Sequence, residues 1–436
     1  MKNITTVILA AGKSTRFVSS KSKLTHDLAG LPIVSHVYNT AKKISGHNII
    51  VVCNKDNHDE LRSLLKNCTF VIQKNQKGTA DAIEAAKSSI KTENFIILFG
   101  DVPLITDVSL KKLIKSFKNK VGSMILFNSL NPSGYGRVIL EKNKVVKVVE
   151  EIHTSNSEKL IELCNSGIML VKKSNFFKLI KLIKFSKIKK ERYLTDIFDI
   201  YFKKKIPFTF IHAPEEEMNG INTLFDFNKV DRLLQKRLVK KFLNNGVLIK
   251  KPETCYFNCD TKIQSKVIIE PNVTIRNKVS IKSGTIIKNF SDLDGVLVKE
   301  NCSIGPHARL RPKSTIEKNC KIGNYVEIKN STIGSFTSIS HLSYVGDSKI
   351  GNRVNIGAGC ITCNYDGVKK NKTVIGNMSF IGSNTSLIAP LKIGNNVKIA
   401  AKSGVTKNIK DNMTIAGFPA IDIRKWKKNI IKLNNN

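Results

Sequence analysis

A six-residue repeat in the second half of the chain constrains the fold more than any other feature of the sequence. An aliphatic residue leads each repeat, glycine often follows it, and a small or apolar residue stands at the fifth place. The repeats begin at Ile269, Val298, Ile304, Leu310, Ile316 and Ile322, and the series resumes at Ile350, Ile356, Ile375, Ile381, Ile388, Ile393 and Ile399. So short a period predicts a parallel β-helix, in which each hexad forms one flat side, three sides make a turn, and the leading residues stack as the core.

The same frame gives three cysteines a structural role. Cys302, Cys320 and Cys360 all fall at the fifth hexad position, so we expect them to be small core residues. The pair in "CITC" (360–363) is therefore a poor candidate for half of a zinc site. The wider cysteine spacing in "CYFNC" (255–259) matches zinc-site spacing even less well. The chain has nine cysteines, an odd number, and they do not look like a disulfide framework.

Short apolar runs alternate with helical patterns from residue 1 to about residue 220. The apolar runs predict buried strands at 48–53, 69–73, 94–101, 123–127 and 166–171. Apolar residues at helical spacing predict helices at 31–44, 79–90 and 108–117. This alternation indicates a Rossmann-like α/β domain with a mostly parallel sheet, in which ligands bind at the C-terminal ends of the strands.

A helical segment joins the two halves. Apolar residues recur at helical spacing from Thr223 until Asn244, Asn245 and Gly246 end the pattern. We therefore divide the chain into a first domain at 1–222, a helical linker at 223–246 and a β-helix domain at 247–436.

The charge of the chain suggests one function that other features do not support. The 72 Lys and Arg outnumber the 34 Asp and Glu and give a net charge of +38, which is common among nucleic-acid-binding proteins. The lysines, however, are spread along the whole length, accompany many Asn and Ile, and form no dense block interleaved with aromatic residues. AT-biased codons explain this pattern more simply, and we expect no nucleic-acid partner. The nucleic-acid hypothesis predicts tight, salt-sensitive association with DNA or RNA.

The composition is that of an ordinary soluble protein. Hydrophobic residues make up 41% of the chain, which is enough to bury proper cores in two or more domains. No apolar run approaches the roughly eighteen residues needed to cross a bilayer. We therefore expect a cytoplasmic protein without membrane insertion.

The stretch "TTVILAAGKSTR" (5–16) predicts an anion-binding loop. It lacks the first glycine of a Walker A motif, since position 7 is Val, and it has no convincing signal-peptide cleavage site. With these two motifs excluded, the stretch predicts a strand, 5–9, followed by a loop of small residues. The cations Lys13 and Arg16 would lie close together in this loop. Backbone N–H groups of such a loop can approach an anion closely.

A carboxylate follows another predicted strand at the same edge of the sheet. Asp101 lies in "FGDVP" (99–103), just past the strand at 94–101. Its oxygen atoms suit the Mg²⁺ that accompanies a nucleoside triphosphate. The alternative is that Asp101 only caps the following turn. Its position beside a phosphate-type loop favours the metal.

Motifs along nearly the whole chain resemble the bacterial bifunctional family of N-acetylglucosamine-1-phosphate uridyltransferase / glucosamine-1-phosphate N-acetyltransferase enzymes. In the first half the resemblance rests on "LAAGKSTR" (9–16), "KLTH" (23–26), Gln73 with "GTADA" (78–82), "FGDVPL" (99–104), "GYGR" (134–137), "VVEE" (148–151), "CNSGI" (164–168), "YLTDI" (193–197) and "NGIN" (219–222). In the second half it rests on "ARLRP" (308–312), "VEIK" (326–329), "HLSYVGD" (341–347), "NIGAG" (355–359) and "TCNYDG" (362–367).

For the first domain the resemblance implies transfer of UMP from UTP to N-acetylglucosamine 1-phosphate, with pyrophosphate leaving. Arg16 and Lys23 would neutralise the phosphates, and Asp101 and Asn222 would bind Mg²⁺. The uracil and phosphate end of UTP would be held by Leu9, Ala10, Ala11 and Gly12, and the uridine pocket would be lined by Gln73, Gly78 and Thr79. The sugar phosphate would lie against Gly136, Glu150, Asn165 and Thr195, with Asn222 nearby.

For the second domain the resemblance implies a left-handed β-helix that acetylates glucosamine 1-phosphate with acetyl-CoA, the earlier step of the same route to UDP-N-acetylglucosamine. This product supplies peptidoglycan and lipopolysaccharide synthesis. His341 would be the general base, because an amine attacks a thioester only when unprotonated, and Glu327 would orient it. The sugar phosphate would bind Arg311, Lys329, Tyr344 and Asn355, and acetyl-CoA would bind Ala358, Asn364, Tyr365, Ser383 and Ala401. We expect a homotrimer with each acetyl-transfer site at a seam between chains.

The chain departs from the family pattern at a few positions. Phe99 stands where Tyr is usual, Asp81 replaces a usual His, and Ser22 replaces a Pro. Gly417 and Phe418 stand where some relatives carry an Arg toward CoA. A narrower alternative keeps only the uridyltransferase and makes the β-helix an assembly tail, but His341, Lys329 and "NIGAGCITCNYDG" (355–367) argue against it.

Overall fold

The computed structural model describes residues 4–12, 16–17, 21–117, 120–186, 191–417 and 423–434. Lys13 of the predicted anion-binding loop and Phe418 near the C-terminus lie outside these ranges. The chain forms two compact units, Met1–Leu234 and Gln235–Asn436. None of the helices in the described ranges is long and apolar enough to cross a membrane.

A nine-stranded sheet organises the first unit. In chain order its strands are β1 (Ile4–Leu9), β2 (Ile49–Cys53), β3 (Thr69–Ile72), β4 (Asn94–Phe99), β5 (Gly122–Asn128), β6 (Arg137–Glu141), β7 (Lys144–Val149), β8 (Leu163–Lys172) and β9 (Phe208–His212). The strand order is β9-β5-β8-β4-β1-β2-β3, and β6 pairs with β8 and β7. A small hairpin, Asp27–Leu28 with Leu31–Pro32, lies apart from this sheet.

The mostly parallel sheet predicted from the sequence is confirmed. Strands β1 to β4 pair in parallel, as do β9 and β5. Strand β8 runs antiparallel to β4, β5 and β6, and the hairpin β6–β7 adds a second antiparallel element. The hairpin had no counterpart among the predicted strands, because its residues are only partly buried and its apolar pattern is weak.

In chain order the α-helices of the described residues are α1 (Ile33–Ser45), α2 (His58–Leu64), α3 (Thr79–Ala86), α4 (Asp107–Ser116), α5 (Asn156–Lys159), α6 (Lys173–Leu179), α7 (Ile197–Lys203), α8 (Leu224–Asn244) and α9 (Ile423–Asn434). The helices predicted at 31–44, 79–90 and 108–117 are present as α1, α3 and α4. Helix α3 ends four residues before the predicted 79–90. Helix α8 occupies most of the predicted connector, and the boundary between the compact units falls within it, between Leu234 and Gln235.

The second unit is a β-helix of three parallel sheets, as the hexads predicted. The first sheet contains Leu248–Ile249, Ile268–Ile269, Ile286–Ile287, Ser303–Ile304, Lys321–Asn324, Ser338–His341, Asn355–Ile356, Phe380–Ile381, Lys398–Ile399 and Thr414–Ile415. The second contains Tyr256–Phe257, Thr274–Ile275, Asp292–Leu293, Arg309–Leu310, Glu327–Lys329, Tyr344–Gly346, Ile361–Cys363, Ser386–Ile388 and Gly404–Val405. The third contains Lys262–Ile263, Ser280–Ile281, Val296–Val298, Ser314–Ile316, Thr332–Ile333, Ser348–Ile350, Thr373–Ile375 and Leu391–Ile393.

The buried residues of the coil follow the hexad frame with one exception. Leading residues such as Ile304, Ile322 and Ile381 are fully or almost fully buried, and so are Cys302, Cys320 and Cys360, as predicted. Ile388 was expected to lead a hexad, and this prediction is wrong: its side chain is 40% exposed, whereas Leu387 is 1% exposed and pairs with Val405. Leu387 lies six residues after Ile381 and six before Ile393, so it keeps the period that Ile388 breaks, and its pairing agrees with the strict period.

The first coil is closed by the end of helix α8. Gln235 donates from Nε2 to the carbonyl oxygen of Phe257 at 2.9 Å and accepts from the N–H of Phe257 at 2.9 Å. The rings of Phe242 and Phe257 lie 5.2 Å apart. The helix thus satisfies backbone groups at an edge that the β-helix would otherwise leave open.

Candidate active sites

The loop after β1 presents its backbone N–H groups at the C-terminal end of the sheet. Asn57 donates to the carbonyl oxygen of Ala10 at 2.8 Å, and Asn54 donates to that of Ala11 at 3.1 Å. The carbonyl groups of the loop are therefore engaged by side chains behind it. No described residue accepts from the N–H of Ala11 or Gly12. An anion placed here would meet donors rather than acceptors.

A cavity of about 490 Å³ opens beside this loop. Its lining includes seven residues predicted for the uridyl-transfer site: Leu9, Ala11, Gly12, Gln73, Gly78, Thr79 and Asp101. Ala10 does not line it, because its side chain is buried behind the loop, where the N–H of Ala10 donates to Val52 at 2.7 Å. Arg16 is exposed.

The structure adds lining residues that sequence reasoning missed. These are Gln76, Ala82, Glu191 and Tyr193, together with Phe99, which the sequence had marked only as a departure. Gln76 Oε1 and the Tyr193 hydroxyl are buried and have no hydrogen-bond partner among the described residues. Tyr193 belongs to the motif "YLTDI", so the resemblance pointed to its neighbourhood, but no spacing rule singled out Gln76.

Two oxygen donors and a lysine meet at one side of the cavity. Lys23 Nζ donates to Asp101 Oδ2 at 2.7 Å and lies 3.4 Å from Asn222 Oδ1. The Lys23 side chain is 8% exposed and that of Asp101 is 26% exposed. A carboxylate and an amide oxygen thus converge on a cation, which is the donor set that Mg²⁺ takes in proteins. The residues fit a magnesium ion.

Backbone contacts bring Asp101 and Asn222 together although they are distant in sequence. The N–H of Ile221 donates to the carbonyl oxygen of Asp101 at 2.9 Å. Asp226 Oδ2 accepts from the N–H of Asn222 at 3.0 Å and from that of Thr223 at 2.8 Å, while Thr223 Oγ1 accepts from the N–H of Asp226. This reciprocal cap starts helix α8 and holds Asn222 beside the strand end.

Residues predicted for the sugar phosphate form two hydrogen-bonded pairs, one at the start of β6 and β8 and one after β7. Thr195 donates to Glu150 Oε1 at 2.6 Å, and the N–H of Asn165 donates to the carbonyl oxygen of Gly136 at 2.9 Å. Asn165 Oδ1 accepts from the N–H of Gly167 at 2.8 Å. Gly167 has φ +75°, and a Cβ there would lie 2.4 Å from the ring of Phe99.

An ion pair with one buried partner lies next to the residues predicted for the sugar phosphate. Arg137, 2% exposed, donates to Glu151 Oε2 at 2.7 Å. Glu151 also accepts from the N–H of Gly134 at 3.2 Å and is the immediate neighbour of Glu150. Burial, followed by repulsion from Glu150, raises the pKa of the nearby Asp196 carboxyl.

On the β-helix, the residues predicted for glucosamine 1-phosphate lie on neighbouring coils. Glu327 and Tyr344 are direct partners in one parallel ladder, and Arg311 Nη1 donates to Glu327 Oε1 at 2.7 Å. Lys370, which was not predicted, lies so close to Lys329 that it lowers the pKa of the Lys329 ammonium. Arg311, Lys329 and Lys370 form a cationic cluster suited to a phosphate.

An acidic residue that was not predicted organises the same surface. Asp347 accepts hydrogen bonds from the side chains of Asn330 and Asn364. Burial opposes ionisation, but these hydrogen bonds and the charges of Lys329 and Lys370 outweigh it and hold the pKa of Asp347 below its usual range. Asn364 is thereby positioned as the chain enters the loop that follows it.

His341 is exposed and lies opposite Asn324 in the adjoining coil. No described residue makes a hydrogen bond with its imidazole, while Asn324 Oδ1 is buried without a partner in the described ranges. The carboxylate of Glu327 contacts Arg311 and not His341. Asn355 is exposed, and its strand, Asn355–Ile356, pairs with the strand that ends at His341.

Three residues predicted for acetyl-CoA form a column at one corner of the coil. Ala358, Ser383 and Ala401 each follow a leading isoleucine by two residues on successive coils. A Cβ on Gly357 would lie 2.5 Å from the N of Ser383, and one on Gly382 would lie 2.4 Å from the N of Ala401. Tyr365 lies in the loop beyond Asn364, 60% exposed, and its hydroxyl donates to Gly367 at 2.6 Å.

Comparison with known proteins finds a matching family model in each half of the chain. Residues 6–158 match the model of the MobA-like NTP transferase domain, and residues 292–415 match that of the GMPPB C-terminal domain. A protein of Bartonella bacilliformis named "Bifunctional protein GlmU" is 39% identical over 424 residues, which cover 96% of this chain and 94% of that protein. Proteins of the same name from Zymomonas mobilis and Buchnera aphidicola are 37% and 38% identical and cover 94% and 98% of this chain. They are themselves covered to 93% and 97%.

Proposed function

The chain belongs to the family of bifunctional GlmU proteins, and we propose from this premise which of its residues carry each of its two reactions. It is a bifunctional enzyme of UDP-N-acetylglucosamine synthesis, a uridyltransferase and an acetyltransferase in one chain. Residues 1–222 form the uridyltransferase domain, 223–246 the helical linker and 247–436 the acetyltransferase domain. The observation that carries the first assignment is the convergence of Lys23, Asp101 and Asn222 at the edge of the nucleotide cavity.

In the uridyltransferase domain, UTP and N-acetylglucosamine 1-phosphate bind side by side. The uridine lies in the cavity lined by Gln73, Gly78 and Thr79, and the phosphates face the N–H groups of Ala11 and Gly12. The sugar phosphate lies against Gly136, Glu150, Asn165 and Thr195. Its phosphate oxygen attacks the α-phosphorus in line, and pyrophosphate leaves.

The catalytic contribution of this domain is positioning and positive charge. Lys23 and Arg16 stabilise negative charge on the phosphates as the bond to the leaving pyrophosphate lengthens. Asp101 and Asn222 would hold Mg²⁺, which when bound would neutralise charge on the triphosphate. Lys23, which donates to Asp101 Oδ2 at 2.7 Å, lies close enough to the same carboxylate to add its positive charge at the phosphates.

In the acetyltransferase domain, His341 accepts the proton from the amine of glucosamine 1-phosphate as the amine attacks the thioester of acetyl-CoA. The amide bond forms, the C–S bond breaks, and CoA leaves as its thiolate, which takes up a proton. Arg311 and Lys329, with Tyr344 and Asn355, bind the sugar phosphate. Glu327 orients Arg311 through the hydrogen bond between them. Acetyl-CoA runs along the column of Ala358, Ser383 and Ala401, with Asn364 and Tyr365 at one end.

The enzyme works as a homotrimer in the cytoplasm. The imidazole of His341 is exposed and makes no hydrogen bond with a described residue, so a seam between chains is a suitable place to complete its surroundings.

A reconstitution with single omissions tests both assignments. The full-length protein is incubated with glucosamine 1-phosphate, acetyl-CoA, UTP and Mg²⁺, and UDP-N-acetylglucosamine is detected by mass. Omission of acetyl-CoA should stop the product, and N-acetylglucosamine 1-phosphate should restore it. Product that forms only when N-acetylglucosamine 1-phosphate is supplied, with or without acetyl-CoA, would leave only the uridyltransferase, with the β-helix as an assembly tail.

A further inference from the structure

The side-chain amide of Gln73 is held in one orientation at the edge of the nucleotide cavity. Gln73 follows β3 and is 5% exposed. Its Nε2 donates to the carbonyl oxygen of Gly78 at 3.1 Å and to Asp81 Oδ2 at 2.9 Å. Both neighbours can only accept, because one is a carbonyl group and the other a carboxylate. A reversed amide would bring Oε1 against two acceptors.

This orientation determines what Gln73 offers to a ligand. With both hydrogens of Nε2 engaged, the remaining polar atom is Oε1, and no described residue donates a hydrogen bond to it. Gln73 therefore faces the cavity as an acceptor. A freely turning amide could instead present either an acceptor or a donor.

Asp81 acts only through Gln73. It lies in the first turn of α3, does not line the cavity, and forms no ion pair with a described cation. A carboxylate accepts a stronger hydrogen bond than a neutral group does, so it opposes reversal of the amide more firmly than the Gly78 carbonyl can alone.

We propose that Asp81 is a positioning residue that makes the site select uracil over cytosine, by holding Gln73 Oε1 toward the base. The inference rests on the proposed uridyltransferase function. Uracil carries a hydrogen on N3 and can donate to Oε1, whereas N3 of cytosine is an acceptor and would face another acceptor without a hydrogen between them. A buried polar group left unpaired in this way weakens the binding of the wrong nucleotide, and the site therefore selects against it.

The test compares UTP with CTP as the nucleotide substrate of the full-length protein. In Asp81→Asn the new amide can donate as well as accept, so the amide of Gln73 can reverse. We expect the ratio of kcat/KM for UTP to that for CTP to fall about tenfold. Asp81→Glu keeps an acceptor and should restore most of the selectivity. Asp59→Asn, whose side chain is 99% exposed in the parent, should leave the ratio unchanged.

The outcomes separate this inference from the proposed function. If the parent protein forms no UDP-sugar from UTP, the proposed function fails. If the parent is active but uses CTP as well as UTP, or if Asp81→Asn keeps the parental ratio, the role of Asp81 is overturned. If Asp81→Asn turns over too slowly to measure, the ratio of calorimetric Kd values for UTP and CTP is compared with that of the parent, and an unchanged Kd ratio overturns the role of Asp81. An unchanged circular dichroism spectrum shows that the variant is folded.

Discussion

Lys23 donates from Nζ to Asp101 Oδ2 at 2.7 Å, and its side chain is almost completely buried. The ammonium also lies 3.4 Å from Asn222 Oδ1, so it occupies the point where the two oxygen donors proposed for Mg²⁺ converge. A metal ion held at this point would therefore compete with the ammonium for one carboxylate.

Removing the ammonium should strengthen metal binding. We expect Lys23→Met to bind Mn²⁺ in the absence of nucleotide about tenfold more tightly than the parent, because Asp101 then lacks a charged partner. The measurement is an electron paramagnetic resonance titration of free Mn²⁺. Lys43→Met, which removes an exposed lysine 3.5 Å from Asp107, serves as the control. Equal affinity in parent and Lys23→Met would show that the two cations do not compete.

Removing the carboxylate should disable one reaction only. We expect Asp101→Ala to lower uridyl transfer by about two orders of magnitude or more, because the phosphates lose a metal ligand. Acetyl transfer should be unchanged. The two activities are measured separately, from N-acetylglucosamine 1-phosphate with UTP and from glucosamine 1-phosphate with acetyl-CoA. Normal UDP-sugar synthesis by the variant in Mg²⁺ would contradict the metal assignment, and Asp59→Ala is the control.

Removing the general base proposed for the other reaction should give the opposite selectivity. We expect His341→Ala to lower acetyl transfer by about two to four orders of magnitude while uridyl transfer continues, since no other described group takes the proton at that site. The same pair of assays measures it. His47→Ala, an exposed histidine in the first unit, should affect neither activity. Parallel loss of both activities in His341→Ala would argue against two independent sites.

The ion pair behind the sugar-phosphate region should contribute to stability. Arg137→Met leaves Glu151 without its charged partner, and we expect the first unit to lose about 2 kcal/mol in the free energy of unfolding. This is less than a fully buried pair would lose, because the side chain of Glu151 is 33% exposed. Urea unfolding followed by fluorescence or circular dichroism measures the change. Lys203→Met breaks an exposed pair with Asp199 in the same unit and should cost much less.

The loop that carries Tyr365 should depend on an ionised carboxylate. Asp366 accepts from the N–H groups of Lys369 and Val368 and from the side chain of Asn371, and these hydrogen bonds lower its pKa to about 2. Because the pKa is depressed in the folded state, the stabilisation of the loop is present above the ordinary value near 4 and is lost as the pH falls toward 2.

Carbon-detected NMR of labelled aspartate carboxyl groups measures this titration directly. The resonance that disappears in Asp366→Asn identifies the residue. A midpoint near 4 in the folded protein would mean that the three donors do not hold the carboxylate.

The repeat of the β-helix was visible in the sequence because every coil must bury the same kind of side chain at the same place. The α/β alternation was visible for a similar reason, since buried strands require continuous apolar runs. The expected frame was one residue late at Ile388, although Leu387 is six residues from both Ile381 and Ile393. The pairing of Leu387 with Val405 confirms the strict period.

The sites were predictable only where a motif marked them. Asp101 follows a predicted strand, and that position alone suggested a ligand for a cation. Gln76 and Lys370 were missed, because each reaches its site from a loop whose path the sequence does not specify. The contact between Gln73 and Asp81 also could not be predicted from the sequence, since Asp81 is recognisable there only as an unusual residue.

The sequence by itself determined the two architectures, their order and the residue types that carry the chemistry, because periodic burial and motif composition are local properties of the chain. Only the tertiary structure decided which of those residues meet: Lys23 with Asp101, Glu327 with Arg311 rather than His341, and Gln73 with Asp81. Hydrogen bonds and ion pairs form over about 3 Å. Their partners are therefore set by where separate strands and loops come to lie, and not by their separation along the chain.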